Sequence, residues 1–200
     1  MGETTLWLNK VFAILLLVSV AACAHAAGDK SQEEALLQTV KGFYGWVLKN
    51  GKDAQRFEPR VTHMQGSTRL YLDQSTLGQH SDALISSGYF APEFRSHVAD
   101  FYAKSAHELS KYSQREFDEM ARDGRGPLID SEDIDVFFCS QEAEYTSDYV
   151  AGTRLQQYRI NGETATAVVV TPDQWKTNFA FRKIKGIWRI SGYCLYKESP

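Results

Sequence analysis

The side chains with the most definite chemistry in this 200-residue sequence are three cysteines, five histidines and a series of arginines near the C-terminus. His97 and Asp100 stand at i and i+3, with Lys104 and His107 continuing the same helical side. That spacing lets a carboxylate orient an imidazole for general acid–base work. Phe94, Val98 and Phe101 claim the inward stripe of the same segment, so much of the polar side turns to solvent and no catalytic residue is expected there. Asp130, Glu132, Asp133 and Asp135 crowd carboxylates together. An EF-hand calcium loop needs Gly at its sixth place and Glu at its twelfth. Counting from Asp130, those places hold Asp135 and Gln141, so the run reads as a solvated loop or a cap at a strand start. His63 and His80 have no partner at metal-ligand spacing, and neither HExxH nor paired CxxC occurs, so no metal and no cofactor is expected. Arg154, Gln156, Arg159, Asn178, Arg182 and Arg189 lie in segments that alternate like strands. Several of them on one open sheet face would offer planar forked donors to an acidic partner or a small anionic ligand. The plainer reading is the solvated side of a one-sided antiparallel sheet.

What the cysteines do depends on compartment. Residues 11 to 20, "VFAILLLVSV", carry no charge and follow Lys10. Ten such residues fall short of the roughly 20 needed to span a bilayer and match the apolar region of a signal peptide. Just beyond them, "VSVAACAHAAGD" contains two cut sites in overlapping registers. Val20-Ala21-Ala22-Cys23 resembles the lipobox of bacterial lipoproteins, in which the thiol after two small residues receives diacylglycerol. Ala24-His25-Ala26 fits the A-x-A rule of ordinary signal peptidase and would release a soluble periplasmic protein. In the lipoprotein register residues 1–22 are the signal peptide, 23–31 a lipidated tether and 32–200 a single domain. By the same resemblance, a residue other than Asp at position 24 implies the outer membrane, facing the periplasm. With Cys23 acylated, Cys139 and Cys194 remain as a pair in an oxidising compartment. A disulfide between them would stabilise by roughly 3–4 kcal/mol; two buried thiols are the alternative. No neighbouring histidine marks either as a nucleophile.

The elements that must position these residues divide the chain by period. Ser31 and Glu34 form a Ser-x-x-Glu capping box, followed by Leu36, Val40, Phe43, Tyr44 and Val47 at helical spacing, with Asn50-Gly51 as the stop. The polar stretch to about residue 68 reads as loop, and a short helix is expected around 81–86. After Pro92 one apolar stripe, including Leu109 and Tyr112, predicts a helix extending to about 120. The period then changes to two. "DYVAGTRLQQYRI" turns through Asn161-Gly162 into "ETATAVVVT", and "WKTNFAFRKI" turns through Lys185-Gly186 into "IWRISGYCLY". This is an α+β chain: N-terminal helices packed on a curved, C-terminal, four-stranded antiparallel meander. On its last strand Trp188, Ile190, Cys194 and Tyr196 are expected on one face.

The set "GFYGWVLK", "YFAPEF", "DIDVFFCSQE" and "IWRISGY" resembles a bacterial family of exported lipoprotein domains of unknown function, with a fold similar to nuclear transport factor two and the cystatins. Phe43, Tyr44 and Trp46 match its first helix, and Asp133, Asp135, Gln141 and Glu142 its acidic segment. The resemblance spans roughly residues 35 to 196 and implies a cone-like pocket, but no established catalytic residues. A formal net charge of −3 disfavours a nucleic-acid binder, for which a basic excess is expected. The expectation is a non-enzymatic envelope lipoprotein, a membrane partner through its lipid, that binds a protein or small ligand. Its most specific form is an immunity protein against a toxin delivered to the periplasm. An enzyme using the pocket and a structural envelope component are the alternatives.

Overall fold

The computed structural model describes residues 30–53, 55–127, 135–140 and 144–196. The expected signal peptide and Cys23, with Asp130, Glu132, Asp133, Gln141 and Glu142, lie outside the described residues. Helix α1 covers 30–53 and buries Leu36, Val40, Phe43, Tyr44 and Val47, the stripe expected of it. Lys30 is already helical, so Ser31 lies within the helix and not at its cap, and the helix runs past Asn50-Gly51. Gly42 has a packing reason: a Cβ there would come within 2.6 Å of the Tyr89 ring.

The polar stretch after α1 is not all loop. β1 (Arg60–His63) and β2 (Leu70–Asp73) form a two-stranded antiparallel hairpin. α2 spans Leu77–Ser86. Residues Tyr89 to Ala91 then run beside the last strand, with Ile190 N–H donating to the Tyr89 carbonyl (2.8 Å) and Ala91 N–H to the Ile190 carbonyl (2.9 Å). The helix after Pro92 is two helices, α3 (Phe94–Ser110) and α4 (Gln114–Asp123). Ser113 and Glu116 form a capping box that opens α4, and Gly124 closes it with φ 65°. A capping box satisfies the free N–H groups of a new first turn, so it marks a start and not a continuation. Similarly "DYVAG" is not strand but part of a short helix, α5 (Ser147–Gly152), capped by the Thr146 side chain.

The sheet is the expected meander in the order β3-β4-β5-β6: Arg154–Asn161, Thr164–Val170, Lys176–Ile184 and Ile187–Tyr193. It is open, not a barrel, and every neighbour is antiparallel. Its inner face sets Ala165, Ala167, Val169, Phe179, Phe181, Trp188, Ile190 and Tyr193 against the helices in one core. Phe43 is the hub of the aromatic packing, with ring centroids 4.9 Å from Phe90 and 5.4 Å from Tyr193, both edge-on. The face expected for β6 needs one correction. An irregularity opposite Ala180/Phe181 adds Ser191 to the strand, so Tyr193 continues the inward row after Ile190. Cys194 follows the strand with φ 55° and is buried by that turn, not by alternation.

Cys139 and Cys194 are bridged, with Cα atoms 5.5 Å apart. The 135–140 turn that carries Cys139 is built by Asp135. Its carboxylate accepts the N–H groups of Phe137 (2.9 Å) and Phe138 (2.7 Å), while its carbonyl accepts that of Cys139 (2.7 Å). Asp135 is therefore a turn cap.

Candidate functional site

Alternation along four antiparallel strands sends every second side chain to the face opposite the core, and the register lines these up in rows across the sheet. One row is Gln157, Val168 and Asn178; the next is Arg159, Thr166, Ala180 and Gly192; the third is Asn161, Thr164, Arg182 and Arg189. The first two rows line a groove of about 520 Å³. Its depth comes from Ala180 and Gly192, which project almost nothing, between longer neighbours on the same strands. Gly192 is also constrained from outside the groove. A Cβ there would lie 3.3 Å from the Tyr196 carbonyl and 3.7 Å from His97 Nδ1.

The six side chains expected on this surface divide. Arg159 and Asn178 line the groove. Arg182 and Arg189 share its face one row further along, where Arg182 ion-pairs with Glu93 and the Arg189 guanidinium lies against Gly88. Arg154 and Gln156 do not line it. Arg154 donates to Gln174 Oε1 (3.1 Å) at the β4–β5 turn, and Gln156 is the extra residue of a bulge between Leu155 and Gln157. That bulge reverses the parity of β3, so Gln157, and not Gln156, continues the outer row with Arg159. Gln157, Thr166, Val168, Ala180 and Gly192 were not expected. The available signal was the mismatch between even-numbered Arg154 and odd-numbered Arg159, which one strand can place on one face only through a bulge. The side chains of Gln157, Arg159, Thr166 and Asn178 have no hydrogen-bond or ion-pair partner among the described residues, so their polar groups are available to a ligand.

His97 and Asp100 form no dyad: among the described residues no hydrogen bond joins them, Asp100 is exposed and His97 Nδ1 is buried without a partner. Among the described residues no group of three His, Cys, Asp or Glu side chains is placed to hold a metal ion. The ionisable cluster that does form was not expected from the sequence. The Tyr102 hydroxyl donates to Glu58 Oε1 (3.3 Å) and lies 3.3 Å from the Tyr196 hydroxyl, with both tyrosines buried. Burial pushes both phenols well above their ordinary 10. Burial also raises the Glu58 carboxyl above its ordinary 4.5, against the Tyr102 hydrogen bond, which favours the charged form. The two phenols keep their protons and pack in the core.

The raised Glu58 carboxyl has a stability consequence. A carboxyl with a higher value folded than unfolded favours the fold most when protonated. Its contribution is complete below about 4.5 and is lost as pH rises through the folded value. Glu58→Gln is therefore expected to flatten the pH dependence of stability above about 4.5, read from urea unfolding at a series of pH values. An unchanged slope would refute the assignment.

No protein-family model, no curated protein and no solved structure matches this chain.

Proposed function

We propose that this chain is a non-enzymatic lipoprotein of the outer membrane, anchored through Cys23 and facing the periplasm, that holds an acidic partner on the open face of its sheet. The observation that carries the binding half is the groove. Four uncommitted polar side chains surround a floor of Ala180 and Gly192, on hydrogen-bonded strands that hold them in fixed positions. Within the three rows the charged side chains are all arginines; Arg182 is already paired with Glu93, and Arg159 and Arg189 leave the face able to complement carboxylates although the chain as a whole is acidic. The envelope half is supported by the apolar segment, by the residues before Cys23 and by the Cys139–Cys194 bridge, which suits an oxidising compartment. In its most specific form the partner is a toxin delivered to the periplasm, which this protein blocks.

The test is genetic and quantitative. The gene is deleted from a strain that keeps its neighbours, then restored as wild type or as Arg159→Glu. Arg159 is exposed, so reversing its charge should change folding stability by no more than about 0.5 kcal/mol. Loss of a charge contact inside an interface costs about 2–5 kcal/mol, a fall in affinity of more than tenfold. Growth inhibition by sibling cells on deletion, relieved by the wild type but not by Arg159→Glu at equal protein level, supports the reading. Unimpaired growth of the deletion strain overturns the toxin-blocking form. Equal rescue by both proteins removes the groove from the interaction.

A further inference from the structure

We infer that the β5–β6 hairpin tip, Ile184 to Ile187, is a contact surface for the phospholipid bilayer; this rests on the proposed anchoring through Cys23. Seven residue steps separate Cys23 from Lys30, where α1 is already helical. Even fully extended they reach only about 25 Å, so the first turn of α1 stays within that distance of the membrane surface.

The N-terminal half of α1 is fastened to the hairpin. Gln32 Oε1 accepts hydrogen bonds from Lys183 Nζ (3.1 Å) and Trp188 Nε1 (2.9 Å), and the Thr39 hydroxyl donates to the Trp188 carbonyl (3.3 Å). The tip and the end of the tether therefore share one pole of the domain. At that pole Ile184 and Ile187 face each other across the two strands, on the side away from the core. Ile187 is 57% exposed, the most of the exposed large apolar side chains among the described residues, ahead of Met64 at 47%. A single exposed apolar residue is ordinary. An isoleucine pair at a turn, beside the exposed Lys185, is an arrangement that enters the headgroup boundary while the lysine amine stays at its polar edge. The Lys183 amine already lies 5.2 Å over the Trp188 ring, its stem lying along apolar surface. Glu33 and Glu34 stand in the same first turn of α1 and offset the lysines, so apolar insertion, not attraction to anionic lipid, provides the contact.

The consequence is orientation. β5 and β6 rise away from the tip, and the groove row holding Ala180 begins four residues from Ile184, about 13 Å further along the strand. The tip would thus hold the groove clear of the headgroups, with the Arg182–Arg189 row nearest the membrane.

The test uses the full lipoprotein reconstituted in vesicles of phosphatidylethanolamine and phosphatidylglycerol. Ile187→Cys and, separately, Trp175→Cys at the β4–β5 turn, at the far end of β5, carry a nitroxide label; both sites reach solvent, and a melting curve of each labelled protein checks that it is folded. The expected result is a several-fold lower collision rate with a water-soluble nickel chelate, and a higher one with oxygen, at position 187 than at 175. Equal rates on a protein whose intact mass shows diacylglycerol on Cys23 overturn the tip contact and leave the anchor standing. A mass beginning near Ala27 without lipid overturns both.

Discussion

Replacing Cys139 and Cys194 together with alanine is expected to lower the unfolding free energy by about 4 kcal/mol, the chain-entropy value for a loop of this length. The bridge closes a separation of 55 residues that contains α5 and the whole four-stranded sheet. Without it the unfolded chain gains freedom, while the native packing around it is left in place. Both cysteines hold positive φ, 53° and 55°, a conformation that costs an L-residue energy. What the bridge fastens is also specific. The 135–140 turn contributes buried Phe137 and Phe138, and the Tyr193 hydroxyl donates to the Val136 carbonyl (2.8 Å). At about 2–4 °C per kcal/mol for a domain of this size, the melting midpoint should fall by about 10 °C. Treatment of the wild type with a reductant should reproduce most of that shift. A paired variant that melts within a degree or two of the wild type would show that turn and sheet are held by packing alone.

The parts of this fold legible in the sequence are those where one local signal acts without competition. Leu36, Val40, Phe43, Tyr44 and Val47 mark α1 because all five face one core. Asn161-Gly162 and Lys185-Gly186 mark two hairpins because the turns need positive φ, and the structure has it at Lys185 and at both glycines. The parts not legible are those where two signals conflict. Tyr112 extends the apolar stripe of α3, yet Ser113 and Glu116 start a new helix. Tyr112 instead packs on Phe117 of that new helix, ring centroids 5.7 Å apart. β1 and β2 are four residues each, β1 mostly exposed and β2 mostly half-buried, so they are too short to present a clear alternation. The groove is the extreme case. It depends on a bulge at Gln156 and on the near absence of side chain at Ala180 and Gly192, and a strand's sequence specifies neither its register nor what its neighbours leave empty. The sequence could therefore point to arginines on the correct face while missing the cavity between them.

Phe43→Ala is expected to be as costly as loss of the bridge, about 3–5 kcal/mol, the range for truncating a buried phenylalanine. Phe43 is fully buried and joins three parts of the chain. It lies on α1 and meets Phe90 in the segment that bridges to β6, as well as Tyr193 at the end of β6. Few rearrangements can fill the space, because Phe179 already stacks on Tyr193 at 5.1 Å and Phe94 stacks on Phe90 at 4.3 Å. The groove lies on the other face of the same strands, so this variant separates support from contact. Where Phe43→Ala still folds, the partner binding proposed for the groove should persist at low temperature and fail together with the fold on warming. Arg159→Glu should instead lose binding at every temperature with its melting midpoint unchanged. The two large destabilisations should not simply add, since Tyr193 touches Phe43 directly and is tied through Val136 to the bridged turn. Urea unfolding of the wild type, Phe43→Ala, the paired cysteine variant and their combination measures that coupling. A combined loss equal to the sum within about 0.3 kcal/mol would mean that the aromatic hub and the bridge stabilise the sheet independently.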